Sequence, residues 1–299
     1  MSLDAELLEL ATQEDVAPDL LSRLVRHAGA RRHVALFRRD LTPELVEEIM
    51  GLGSARTLAA NSSLPAVGRA QLVEHPQTEV RAALAANAPD DPPGILIRLS
   101  QDPEPFVRSF LAMNDRLDPV IRAGLATDPE SSVRSSLVQH WRDAPEQVQR
   151  TLLTDPDPKI RRAAVHAYVP PPDLLPGLLA DGATRVGAIR FAEPTADMAA
   201  DPDAGVREAL ARHPALPTTV RDLLAADPDV LVRSAVAARP DTPPALREAL
   251  EATLQTDDPA EQWLLDVHRH QCPPSTPKRP APAARSREQV EDLLTRAGL

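Results

Sequence analysis

Aromatic residues are nearly missing from this chain of 299 residues: Phe, Trp and Tyr together make up 2% of it. Its apolar content is almost entirely Ala, Leu and Val, which suits thin layers between helices better than one thick core. Cysteine occurs once, at Cys272, and this excludes an internal disulfide framework and any cysteine-only metal or cluster site. Positive charge is short as well. The formal net charge is −11, so the chain as a whole repels phosphate backbones and anionic membrane surfaces. No apolar run approaches the length of a membrane span. The opening Met1-Ser2-Leu3-Asp4 has neither a basic start nor an unbroken apolar stretch, so a signal peptide is not expected and a cytoplasmic protein is the default.

Proline, by contrast, is abundant (32 residues) where glycine is scarce (11), and it falls at regular intervals. Asp-Pro followed four residues later by Val-Arg or Ile-Arg returns about every 26 residues. The instances are Asp102-Pro103 with Val107-Arg108, Asp128-Pro129 with Val133-Arg134, Asp155-Pro156 with Ile160-Arg161, Asp201-Pro202 with Val206-Arg207, and Asp227-Pro228 with Val232-Arg233. His75-Pro76 before Val80-Arg81 is the same frame with its first residue changed. Within one frame, Asp201 reads as a helix N-cap with Pro202 at the first helical position. Val206, Leu210 and Ala211 supply an apolar face, and His213-Pro214 ends the helix. Pro217 then heads a second helix with Val220 and Leu224 on its buried stripe. Pro18, Pro43, Pro65, Pro92, Pro119, Pro145, Pro172, Pro194 and Pro243 mark the same start elsewhere, with buried pairs such as Ile95/Leu99 and Leu175/Leu179 behind them.

The expected architecture is therefore all-α: an α-solenoid, a right-handed superhelix of about ten helix–turn–helix repeats of about 26 residues. Residues 1–50, which lack the Asp-Pro signal, are expected to be capping repeats, and residues 51–272 the array. Residues 273–285 form a Pro-rich linker, and residues 286–299 an amphipathic helix with Ser286 and Gln289 as a capping box and Val290, Leu293 and Leu294 as its apolar face. So short a helix is marginal alone in water and must dock on its own chain, on a second copy in a self-association, or on a partner. The Asp-Pro-x-x-x-Val-Arg-x-x-Leu-Ala-x-Asn frame, with Leu-Pro before a Leu-rich helix, resembles the bacterial leucine-rich repeat variant family and the wider HEAT-like α-solenoids. That resemblance implies a fold and many binding roles. The founding type of the variant family carries an N-terminal cysteine cluster for an iron–sulfur centre; this chain has no cysteine there, so no cofactor is expected.

Several columns of residues could carry chemistry. Arg81, Arg108, Arg134, Arg161, Arg207 and Arg233 lie in register, either as a cationic ladder for an anion or, the favoured reading, paired with the Asp-Pro carboxylates and helix-end carbonyls. Asn61, Asn87, Asn114, His140, His213 and His270 close the first helices and read as caps. Asp266, His268, His270 and Cys272 invite a zinc reading, but Pro273 ends that segment and no metal site is expected. The repeat from Asp181 to Asp201 is short, with Gly182 and Gly187 in place of Pro and Arg, and Arg190 where Leu belongs, so a shortened second helix is expected near Pro194. Arg23, Arg26, Arg31, Arg32, Arg38 and Arg39 form a local basic region, read as a solvated cap face.

The few aromatics cluster in the middle repeats. Phe106, Phe110, Met113, Gln139, His140, Trp141 and His166 are the candidate partner-binding residues, a hot spot on the face lined by the Val-Arg helices. The competing reading makes them filler between repeats. The leading function is a non-enzymatic scaffold that binds a protein or peptide. The alternative is a HEAT-like DNA-binding protein or DNA glycosylase-type enzyme, which the negative charge disfavours; nucleic acid and membrane are not the expected partners.

Overall fold

The computed structural model describes residues 3–13, 15–89, 94–254 and 286–299. Twenty α-helices and three short 3-10 turns account for their regular structure, with no strand among them. They fall into two compact bodies: the described residues up to Val148 together with the C-terminal helix, and the described residues from Gln149 onward.

In the first body the helices come in pairs. α1 (Leu3–Ala11), α3 (Ala28–Phe37), α5 (Ala55–Ala59), α7 (Thr78–Asn87), α9 (Pro105–Ala112) and α11 (Ser131–His140) pack in series, each against the next. The second helices α2 (Pro18–Leu24), α4 (Pro43–Gly51) and α6 (Ala66–Leu72) pack in their own series. α8 (Ile95–Ser100) and α10 (Pro119–Gly124) follow α7 and α9 in the same way. Layers of leucine fill the spaces between pairs: Leu10, Leu24, Leu58, Leu84, Leu111 and Leu137 are fully buried. α12 (Glu146–Leu153) straddles the boundary.

The second body repeats the scheme with α13 (Pro158–Ala167), α14 (Leu175–Ala180), α15 (Arg185–Ala188), α16 (Ala204–Ala211), α17 (Thr218–Ala225), α18 (Val230–Ala237) and α19 (Pro244–Glu251). Ile189, Val206, Leu210, Val220, Leu224, Val232 and Val236 share one buried cluster there. Behind Pro194 the second helix shrinks to a 3-10 turn, Asp197–Ala200, as the short repeat requires. On α14 the buried leucine is Leu178, while Leu175 and Leu179 are only half-buried, so the stripe runs one residue away from the expected pair.

Asp-Pro does not cap the helices. Asp102, Asp128, Asp155, Asp201 and Asp227 each accept a hydrogen bond from the main-chain N–H two residues on, at 2.8–3.0 Å, which closes a turn ahead of the helix. The N-cap is that following residue: Asp157, Asp203 and Asp229 accept from N–H groups of the first turn. The displaced carboxylate instead faces the arginine of the preceding repeat. Arg108 grips Asp128 with Nε and Nη2 at 2.7 and 2.9 Å, and Arg81–Asp102 and Arg207–Asp227 have the same two-pronged geometry. Each arginine also donates Nη1 to the main-chain oxygen six residues before it, Asp102 for Arg108 and Asp201 for Arg207. One guanidinium thus ties its own turn to the next.

The irregular repeat obeys the same rule with different residues. Arg185, not Gly187, reaches Asp201 at 3.3 Å, while Arg161 holds Asp181 at 2.7 Å. Gly187 answers a separate demand: a Cβ there would lie 2.5 Å from Val165 Cγ1, so α15 approaches α13 too closely for any side chain. Near the N-terminus Arg31 fills the arginine position, bonded to Val25 O and to Ser54 Oγ in place of an aspartate.

A second seam joins the C-terminal ends of successive first helices. Asn61 donates to Ala35 O and Arg38 O, and Asn114 to Ala85 O and Ala88 O, each amide satisfying carbonyls left open at the end of the preceding first helix. Among the described residues, Asn87 bonds within its own helix, to Ala83 O. In the second body arginine does this work: Arg190 donates to Val165 O and His166 O, and Arg239 to Ala211 O and His213 O. Arg38, buried, likewise donates to Gln13 O beyond α1, so part of the N-terminal basic region is structural rather than solvated.

The last helix, α20 (Arg287–Arg296), packs on α1 and α2 of its own chain. Its capping box is formed, and Val290, Leu293 and Leu294 are buried. Arg287–Asp19 at 2.8 Å, Arg296–Glu6 at 3.6 Å and a bond from Arg23 to Leu299 O at 2.7 Å frame the contact. The zinc-like set Asp266, His268, His270 and Cys272, the linker 273–285 and Pro92 lie outside the described residues.

Two outcomes follow from these contacts. Burial works against ionising Asp128 and Asp227, yet the arginine and N–H bonds overcome it and hold both pKa values below the ordinary aspartate value; the Arg161 bond does the same for Asp181. A depressed folded pKa contributes stability above the unfolded value of about 3.9 that is lost as pH falls through the folded one. Urea midpoints should therefore hold to about pH 5 and fall below about pH 4, and Asp227→Asn at neutral pH should cost about 3 kcal/mol by orphaning Arg207. Removing residues 286–299 should uncover α1 and α2, increase binding of an apolar dye, and lower the stability of the first body by at least about 2 kcal/mol.

Candidate binding surface

On α9, Phe106, Phe110 and Met113 follow one another at four and three residues, so they share one stripe of the helix. The Phe106 and Phe110 rings meet at 4.8 Å between centroids, tilted by 54°. Phe106 is 50% exposed and Met113 38%, while Phe110 is half-buried. Aligning the ladder arginines puts Ala83 of α7 and Ser136 of α11 at the position of Phe110. Both neighbours are small, so the aromatic pair stands proud of helices that flank it on both sides. Apolar surface of this kind, on a helix fixed by two seams, suits contact with another surface.

Gln139 and His140 lie exposed at the end of α11, the helix packed against α9. Gln139 bonds to Ser135 Oγ at 3.0 Å, and His140 Nδ1 lies 2.9 Å from Ser136 O. Trp141 does not belong to the surface: it is buried, with 6% exposure, and the Arg122 guanidinium lies 4.9 Å from the ring centroid. Arg122 also bridges Ala112 O and His140 O, so the indole and the guanidinium together close the ends of α9 and α11. Tyr168 is likewise buried. For these two aromatics the filler reading is correct.

His166 lies in the other body, exposed on α13. Its ring rests against Gly187, where a Cβ would lie 3.2 Å from Cε1. Arg162, one turn earlier, donates Nε to Ala183 O at 3.2 Å, and Arg190 donates Nη2 to the carbonyls of Val165 and His166. Burial, reinforced by Arg190 and Arg162, lowers the pKa of His166. Sequence reading marked Arg190 as standing where Leu belongs but missed Arg162 beside it. The available signal was a break in register: where Arg162 stands, six other repeats carry Ala82, Ser109, Ser135, Val186, Glu208 and Ser234, and a cation recurs at Arg32, after Arg31.

The ladder itself is not a free cationic surface. Arg81, Arg108, Arg161 and Arg207 all spend their guanidinium groups on aspartates and main-chain oxygens. No helix among the described residues is long and apolar enough to cross a membrane. Trp141→Ala should cost about 3 kcal/mol or more in urea unfolding, as a core truncation does, whereas Phe106→Ser should change stability by less than about 0.5 kcal/mol. Compared with family models, with curated proteins and with solved structures, the chain finds no match.

Proposed function

We propose that this chain is a non-enzymatic binding protein, a cytoplasmic α-solenoid of the leucine-rich repeat variant or HEAT-like kind that holds a protein or peptide against its first-helix surface. The observation that carries this reading is the Phe106–Phe110–Met113 stripe, apolar and exposed on a helix locked from both ends. A binding surface needs anchors whose position is fixed before the partner arrives, since each side chain ordered on binding costs affinity. Packing on α7 and α11 supplies that order for α9. Gln139 and His140 add polar groups beside the apolar strip, the mixture expected of a hot spot and its rim.

The test is capture of a partner from the native cell extract on the immobilised chain, followed by the same capture with Phe106→Ser and Met113→Ser together. Recovery with the native chain and loss of at least tenfold with the variant, at unchanged melting temperature, is the expected outcome. A partner retained equally by both proteins would remove α9 from the reading.

A further inference from the structure

We propose that Arg162, His166 and Arg190 form a binding site for an anionic peptide segment, one that presents carboxylate or phosphoryl oxygens. The site lies on the second body, and the reading is independent of the α9 stripe. Arg162 and His166 are four residues apart on α13 and therefore stack on one face, about 6 Å apart at Cβ. Arg190, from the 3-10 turn Ile189–Phe191, reaches the end of the same helix, with Nη2 3.1 Å from Val165 O and 3.2 Å from His166 O. Both arginines thus lie at the C-terminal half of α13, near His166.

Both arginines keep donors in reserve. A guanidinium has five N–H groups; among the described residues Arg162 bonds through Nε and Arg190 through Nη2. Neither makes an ion pair with a carboxylate among the described residues, whereas Arg161 and Arg185 beside them are paired with Asp181 and Asp201. Of the nearby carboxylates, Asp181 faces Arg161 while Asp201 and Asp203 share Arg185, and among the described residues no ion pair joins the exposed Glu193 to Arg162 or Arg190. The result is two neighbouring arginines with no carboxylate partner among the described residues, on a chain of net charge −11. Burial first, and then the charges of Arg190 and Arg162, oppose protonation of His166. Arg190 also lies over the Phe191 ring at 4.4 Å, which restrains its otherwise mobile head and lowers the cost of ordering it on a ligand.

The register break argues for function over fold. Ala, Ser, Val or Glu serve the fold at the Arg162 position in six other repeats, while Arg32 is another cation there, so the repeat does not require a long cation at this position. The patch spans little more than one helical turn, which fits two or three anionic side chains. A long polyanion such as nucleic acid would extend beyond it and meet the acidic remainder of the chain.

The experiment is fluorescence anisotropy at low salt with a labelled penta-glutamate peptide and a phosphoserine peptide of equal length. Binding of either, weakening as salt is raised, is expected, and the tighter of the two identifies the oxygen source. Arg162→Gln should weaken that binding about tenfold, while Arg116→Gln, which removes an exposed charge in the first body, should leave it unchanged. His166→Arg, which adds a cation at the centre, should strengthen it and keeps the test decisive if Arg162→Gln misfolds. Failure of both peptides to bind, equal losses in Arg162→Gln and Arg116→Gln, no gain in His166→Arg, or tighter binding of a single-stranded oligonucleotide would each overturn the proposal.

Discussion

The bond between an arginine of one repeat and the aspartate that opens the next is the interaction on which the other contacts depend. Asp102, Asp128 and Asp227 are buried, and each accepts from two guanidinium N–H groups and one main-chain N–H. Three charge-assisted or main-chain bonds compensate a carboxylate that would otherwise be costly to remove from water. The same carboxylate shapes the turn that starts its own helix. Coupling between repeats and nucleation of the next helix are therefore one event. This makes the pairing more than a surface ion pair, whose net worth is small. It is also brittle, because removing one partner leaves the other charged and enclosed.

The second seam is built differently and tolerates substitution. At the far end of each first helix the need is only for donors aimed at open carbonyls. An amide at Asn61 or Asn114 meets that need, and so does a guanidinium at Arg190 or Arg239. Arginine also brings positive charge to the negative end of the helix dipole. The aspartate seam, by contrast, needs a matched pair at a fixed separation. The chain keeps that pair even where the repeat shortens, moving the arginine to position 185.

Much of this was legible in the residues. The period, the helix pairs, the proline at or next to the start of most of the described second helices, the pairing of arginine with aspartate and the capping box of the last helix all follow from local rules. What misled was any residue whose local signal competes with a distant partner. Asp-Pro has the form of an N-cap, yet the arginine of the preceding repeat fixes where its carboxylate lies, and capping moves two residues on. Trp141 looked like a surface anchor because aromatics are rare here, but rarity does not distinguish a hot spot from the one large side chain a wide gap requires. Gly187 looked like a lost arginine, when the spacing of α13 and α15 forbids a side chain there. The last helix shows its apolar face in sequence but carries no sign that α1 and α2 receive it.

These misreadings share a cause that bears on how function is to be sought in such chains. A repeat fixes most positions by demands that recur, so a residue satisfying the recurring demand says nothing about a ligand, however chemically potent it looks. Six arginines in register are the clearest case: they stand out in sequence and are largely consumed by the fold. Information about binding lies in the residual, where a position that the fold fills with Ala or Ser carries a large or charged side chain instead. Phe110 on α9 and Arg162 on α13 are both residuals of this kind. One projects apolar surface beyond its neighbours and the other projects unpaired charge. Because neither is needed to hold the helices together, each can be altered without collapse, which separates a binding role from a structural one.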